Sequence, residues 1–452
     1  MENKLTFLEL EQLVKDRRYQ AIRDAFDYYN LVDLTNHVEN LDLNEILLLF
    51  KILRKDITAE IFTYLSSEKQ EDIITSFTGP QIAGMLENLY TDDIVDFLEE
   101  MPANVVKHIL TNATAEQRAE INLLLSYPED SAGSIMTTDF VELKASDTVK
   151  KSIQKIKQQG KVAETISYCY VVDINRVLVG SIKLRDILFA DEDELISDLM
   201  DTDIVCVATT DDQEHTAALI RKYDVSVLPV VNNESRLIGV ITADDIIDVI
   251  TEETTEDIQK MAAVIPTSDS YLRTGVLEMT KSRIAWLLVL MVSATFTGLI
   301  IQGYEVQLAS IPALAAAIPM IMSTGGNAGC QSSTMVIRGI AIDHMRIKDF
   351  GLVLWKELRV SLGIGLVLFV VNFFRLWIFM PSDTLMTDLV ISLTLFLTVI
   401  LANLTGGILP LVALVFKQDP AAMASPLITT IVDALALIIY FNLAMAFLGN
   451  LM

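Results

Sequence analysis

Residues 421–452 read AAMASPLITTIVDALALIIYFNLAMAFLGNLM, and Asp433 is the one charged side chain in that run. The run is long enough to cross a bilayer, for which about 20 apolar residues suffice. A charge at mid-membrane depth costs about 3 kcal/mol even on lenient insertion scales. Asp433 is therefore either a helix-packing carboxylate bonded to a neighbouring helix or a group on an ion path. On both readings this part of the chain belongs in a membrane.

The chain has 452 residues, too many for one compact domain, and a net charge of −26. That charge is not evenly spread. Residues 1–270 carry 24 Lys and Arg against 51 Asp and Glu, whereas residues 271–452 carry 10 against 9. The first part reads as an acidic soluble protein and the second as a membrane protein. Strong acidity argues against nucleic acid or an anionic membrane surface as partner. It makes metal cations a natural counterpart, beside the simpler account that acids keep a domain soluble. Cys169, Cys206 and Cys330 are far apart, which suggests neither a disulfide framework nor a paired-thiolate metal site. The four histidines lack ligand spacing, so zinc is not expected. The opening MENKLTFLELEQLVKDRR has no apolar signal core, so the acidic half is expected in the cytosol.

Residues 1–130 carry Leu and Ile at three- and four-residue spacing, as in NEILLLFKILR (44–54) and TDDIVDFLEEMPANVVKHIL (91–110). Breaks at Thr78-Gly79-Pro80 and Met101-Pro102 punctuate them, which predicts an all-α domain of stacked short helices, a small superhelix. YPEDSAG (127–133) reads as a linker. Residues 131–252 hold an internal repeat. SIMTTDFVELKASD (134–147) matches DLMDTDIVCVATTD (198–211), and YCYVVDINRVLVGSIKLRDIL (168–188) matches VLPVVNNESRLIGVITADDII (227–247). Each copy reads strand, helix, strand, strand, helix. The pair resembles tandem cystathionine-β-synthase (CBS) domains, an α/β fold that commonly binds adenosyl ligands or ions and regulates an attached protein. Residues 248–283 read as a long polar helix, rich in acids and helix formers, that joins this half to the membrane.

Five spans are expected in the membrane domain, at 284–301, 306–337, 360–380, 389–416 and 421–452. The second is broken by Pro312, Pro319 and Gly325-Gly326, and the fourth at Gly406-Gly407 and Pro410. Lys281 and Arg283 precede the first span. Arg338, Arg346, Lys348, Lys356 and Arg359 lie around the second connection, and Lys417 is in the fourth. The first and third connections have no Lys or Arg. The charge bias therefore puts the N-terminus inside and the C-terminus outside a cell membrane.

Three membrane features could line an ion path: Asp433, the small polar stretch STGGNAGCQSS (323–333), and NLTGG (403–407). Gly325, Gly326 and Gly329 allow close backbone approach, and Asn327 and Gln331 add polar groups at helical spacing; the stretch is pore-lining or a packing seam. For NLTGG a kink or seam is the better account. The available ligands are carboxylate, amide and hydroxyl oxygens, which suit Mg2+, Ca2+ or Mn2+. Mg2+ sheds water reluctantly and keeps several waters beside one or two carboxylates. One Asp per protomer is adequate for a hydrated ion, above all if two protomers face each other.

At these residues the chain resembles the MgtE family of magnesium channels and transporters. The resemblance covers nearly the whole length, most specifically at GGNAGCQSSTMVIRG (325–339) and PLITTIVD (426–433). It implies an acidic helical N domain (1–130), a CBS pair (131–252), a connecting "plug" helix (253–282) and a five-helix transmembrane domain (283–452). It also implies a homodimer in the lipid bilayer with the pore between second and fifth spans on the two-fold axis. Asp433 would then hold hydrated Mg2+, and Thr429 one turn earlier would offer its backbone carbonyl to the ion's waters. Cytosolic Mg2+ closes the pore in that family. The regulatory carboxylates carried over are Asp92 and Asp96, then Asp212, Glu214, Asp224, Asp245 and Asp248 of the CBS pair, and Glu253, Glu256 and Asp257 of the connecting helix. Some relatives bind ATP in the CBS pair. Tyr168, Arg185 and Asp186 would suit its base, phosphate and ribose, although the second copy has Val225 in place of a ring. No nucleophile–base set or phosphate loop suggests an enzyme. The rival readings are a transporter of Co2+, Ni2+ or Mn2+ and a membrane-anchored CBS sensor without transport.

Overall fold

In the computed structural model, residues 7–267, 271, 274–343, 345–379, 384–423 and 425–449 are described. They divide into two compact units, Met1–Ile250 and Thr251–Met452.

The first unit opens with short helices, from Phe7–Lys15 to Ala115–Leu124. Their shortness follows from closely spaced caps. Asn30 accepts from the Val32 N–H at 3.0 Å. Thr114 and Gln117 cap each other reciprocally, both bonds at 3.2 Å. Thr78, at the break expected from the sequence, caps the helix Gly79–Leu86, with Pro80 in the first turn where a missing N–H costs nothing. Apolar faces from successive helices, including Ile22, Leu49, Phe62, Ile73 and Ile109, form one core.

Two three-stranded sheets follow. Glu142–Lys144 pairs parallel with Tyr168–Val172, which pairs antiparallel with Leu178–Lys183. Val207–Ala208, Val227–Val231 and Leu237–Thr242 repeat the arrangement. The copies share an irregularity, a register shift at Val171/Val172 in one and Val230/Val231 in the other. The two sheets meet across Tyr170, Val172, Val227, Leu237 and Val240, and the Tyr170 hydroxyl donates to Val227 O at 3.0 Å.

The supposed linker 127–133 is not one. Ala132 is fully buried, its N–H bonds Asp211 O at 2.7 Å, and the Gly133 N–H bonds Thr209 O at 3.0 Å. Backbone pairing with the second copy turns this stretch into part of the core.

The polar helix also differs from its expected range: it runs Ala243–Met261 rather than 248–283. It continues directly from the strand Leu237–Thr242, and it stops where Ala263 takes φ 55° and Pro266 follows. A new helix, Val276–Gly303, begins the apolar part.

The second unit contains the long helices Val276–Gly303, Pro312–Asp343, Phe350–Phe379, Leu385–Val415 and Ser425–Leu448. Among the described residues, four stretches are long and apolar enough to cross a membrane: Val276–Gly303, Ile347–Phe379, Leu385–Val415 and Pro426–Leu448. Pro312–Asp343 is of similar length, but its Gly, Ser, Asn and Gln content makes it less apolar. It packs against both Leu385–Val415 and Ser425–Leu448, which also pack on each other. The expected second span, 306–337, is divided at Ile311, between a short helix Glu305–Ser310 and Pro312–Asp343. Past that point Pro319, Gly325-Gly326, Gly406-Gly407 and Pro410 all sit inside unbroken helices. Helices also outrun the apolar stretches, so Arg338, Lys356 and Arg359 stand on helix ends rather than in a loop. Long cationic side chains reach polar surroundings from such positions without ending the helix.

Candidate functional site

In the first unit, the helix Thr91–Glu99 brings acids to the repeated strand–helix pair. Its N-terminus has no cap of its own; instead Asp139, from the segment leading into the first copy, accepts from the Thr91 N–H at 3.3 Å and hydroxyl at 3.1 Å. That contact anchors the helix end bearing Asp92 and Asp93. Carboxylate oxygens of Asp92, Glu164 and Asp245 then lie within 4.8 Å of one another. Asp245 Oδ2 is oriented by the Thr242 N–H at 3.3 Å and hydroxyl at 2.5 Å. Asp92 is 7 % exposed, and its Oδ1 and Glu164 Oε2 have no hydrogen-bond partner among the described residues.

Three carboxylates so placed cannot all hold charge comfortably. Burial, then the neighbouring Glu164, Asp93, Asp245 and Asp96, pushes Asp92 well above the usual carboxylate range. Burial and Asp245 push Glu164 up to about 7. Burial and Asp245 likewise push Asp93 to about 6, and burial raises Asp139 and Asp245. The dipole at the N-terminus of Thr91–Glu99 offsets part of this repulsion. A divalent cation would remove the rest. Oxygens bound directly to one Mg2+ at about 2.1 Å lie at most about 4.2 Å apart. The three carboxylates, within 4.8 Å of one another, are close enough for one ion to be shared among them, directly or through its water shell.

Of the acids singled out from sequence, Asp92 and Asp245 meet here. Asp96, Glu214 and Asp248 are exposed. Asp212 is spent as the N-cap of Gln213–Tyr223, accepting from the Glu214 N–H at 2.9 Å, and Asp224 ends that helix in a left-handed turn. Sequence reasoning missed Glu164, Asp93 and Asp139. Glu164 lies in KVAETIS, where nothing in composition or spacing marks it. Tyr168, partly buried, has the Lys183 ammonium 5.6 Å from its ring centre, and Arg185 and Asp186 are exposed and paired at 3.6 Å.

In the second unit, Glu253, Glu256 and Asp257 are partly buried on the connecting helix. Lys260, one turn after Glu256, has its ammonium 2.6 Å from Glu256 and 2.7 Å from Asp419. Burial raises Asp257, and Asp419 raises it further. Asp419 lies between the last two long helices, and its pairing was not legible in sequence.

The glycines of STGGNAGCQSS are a seam. Gly325 faces Thr398 and Val432, Gly326 faces Thr429, and Gly329 faces Ile428 and Ala402 O. A methyl group at Gly406 would lie 2.2 Å from Gly329 O, so backbone touches backbone there. Asn327 and Gln331 point away from the seam and are exposed. The same contacts set the fifth helix. Thr429 bonds Pro426 O through its hydroxyl at 2.9 Å, and Asp433, one turn on, is partly exposed. Among the described residues none gives Asp433 a hydrogen bond or an ion pair. Glu357, on Phe350–Phe379, contrasts with it: the Ser332 hydroxyl lies 2.8 Å from its Oε2.

Comparison with known proteins bears on this arrangement. Residues 318–443 match the model of a family described as MgtE, divalent cation transporter; 29–130 match the MgtE intracellular N domain; 132–193 and 196–252 match CBS domains. A magnesium transporter MgtE of Thermus thermophilus is 34 % identical over 98 % of each chain. One from Bacillus subtilis is 33 % identical, over 97 % of this chain and 96 % of its own. The solved cytosolic domain of a Mg2+ channel MgtE in complex with ATP is 31 % identical, covers 54 % of this chain and all of its own, and superimposes with a TM-score of 0.51.

Proposed function

Because the chain belongs to the MgtE family of divalent cation transporters, we propose that it is a Mg2+-selective channel. It moves Mg2+ into the cytosol and is closed when cytosolic Mg2+ rises. The observation that carries this reading is Asp433: a carboxylate on an apolar helix that no described residue of its own chain partners. A group left so in a membrane needs water, an ion or a second copy. In a homodimer with two Asp433 carboxylates facing each other, one hydrated Mg2+ would satisfy both, with Thr429 lining the approach. Seating on the glycine seam keeps the fifth helix in place, while Asn327 and Gln331 face outward beside it.

The N-terminal half is the sensor on this reading and lies in the cytosol, with the C-terminus outside. Asp92, Glu164 and Asp245 take a divalent ion that relieves their mutual repulsion; Asp96, Asp212, Glu214, Asp224 and Asp248 add to the attracting field. Glu253, Glu256 and Asp257 extend the response to the connecting helix. Purified protein in liposomes tests the proposal, with Mg2+, Ca2+ and Mn2+ in competition. Mg2+ uptake that disappears in Asp433→Ala is expected. Transport of the other ions in preference to Mg2+, or uptake indifferent to Asp433→Ala, refutes it.

A further inference from the structure

Lys260 sits among three carboxylates of the second unit: Glu256 and Asp257 on its own helix, and Asp419 from the loop before the fifth long helix. Its ammonium bridges Glu256 at 2.6 Å and Asp419 at 2.7 Å, with the lysine side chain 26 % exposed. Asp419 uses its other oxygen to accept from the Ala421 N–H at 2.7 Å. That bond holds the short turn Ala421–Met423, which leads into the helix bearing Asp433. A chain of contacts therefore runs from the connecting helix, through one ammonium and one carboxylate, to the start of the fifth helix.

We propose that Lys260 is a resident counter-ion that positions the connecting helix on the membrane domain and sets how much Mg2+ is needed to close the pore. Three carboxylates brought together without a cation repel each other. One ammonium offsets a third of that charge permanently and ties Glu256 to Asp419, so the closing contact is partly made before any divalent ion arrives. Partly buried, hydrogen-bonded pairs of this kind hold better than exposed ones because water screens them less. Lys260 is thus a positioning residue, acting through Asp419 and never touching the transported ion. The inference rests on the proposed closing of the pore at this contact.

The test uses the full chain in liposomes. Lys260→Gln is expected to need about three- to tenfold more Mg2+ for half-maximal closure than the wild type. Lys260→Arg, which keeps the charge, is expected to stay within about twofold. Zero-length carbodiimide coupling of wild type in chelator, mapped by mass spectrometry, should join Lys260 to Asp419. Lys260→Gln closing at or below the wild-type concentration, Lys260→Arg failing like Lys260→Gln, or absence of the Lys260–Asp419 isopeptide overturns the inference and leaves the gating reading intact. A wild type that Mg2+ never closes overturns the gating reading, and this role with it, before any variant is compared.

Discussion

Replacing Glu164 by Gln keeps the side chain's size and removes its charge from the three-carboxylate cluster. Burial and Asp245 hold Glu164 at about 7, against an ordinary 4.5. At 1.36 kcal/mol per unit, that difference is a penalty on the charged form of at most about 3 kcal/mol. The group is partly exposed, so screening reduces it to roughly 1–2 kcal/mol. The sign follows from the direction of the shift. Below about pH 4.5 the carboxyl is protonated whether folded or unfolded, and wild type and variant are alike. As pH rises through about 7, the folded wild type must ionise against the cluster and loses that stability, while the variant does not. In chelator near pH 8, amides of the helix Thr91–Glu99 should therefore exchange about five- to thirtyfold more slowly in Glu164→Gln than in wild type. Added Mg2+ should protect wild type strongly and the variant much less, because the cation has lost a ligand. Hydrogen exchange by mass spectrometry, corrected for intrinsic rates, reads both. Equal exchange in chelator would refute the repulsion, and an undiminished Mg2+ response in the variant would refute a shared cation.

Gly406→Ala puts a methyl group 2.2 Å from Gly329 O, and such overpacking should cost about 1–3 kcal/mol and lower the melting temperature in detergent. Gly298→Ala, with open space around it, is the control; equal effects would discount the seam. ATP binding at Tyr168, Arg185 and Asp186 would require the Lys183 ammonium to leave the Tyr168 ring or to pair with phosphate. Calorimetric titration with ATP should show heat that Tyr168→Ala abolishes, and an unchanged isotherm in that variant would dismiss the site.

Much of the fold was legible in the sequence because its signals are local. Period-3.6 leucines, breaks such as Thr78-Gly79-Pro80, and a duplicated strand–helix–strand–strand–helix pattern each act within a few residues or repeat intact. Helix ends in the membrane domain were less legible, since apolarity stops at the first charge whereas backbone bonding continues past Arg338 and Lys356. The 127–133 stretch misled for the opposite reason: its Pro, Gly and Ser look like a linker, and only pairing with Asp211 and Thr209 shows otherwise. Of the candidate site, Asp433 stood out because an apolar background isolates it. Asp92 and Asp245 came through family motifs. Glu164 and Asp419 did not, because each acquires its meaning from partners far away in sequence.

One apolar core includes Ile109, Ile121 and Leu124 of the helical N domain together with Ala132, Met136, Val207, Leu228 and Ile241 of the repeat. Domain families divide this region near residue 130, yet no water-facing boundary runs there. Removing the first 130 residues would lay that apolar surface bare, so a shortened chain should clump or melt early. Loss of Mg2+ control in such a deletion would then say little about sensing. Single charge-neutralising changes, which leave the shared interior intact, separate the two effects cleanly.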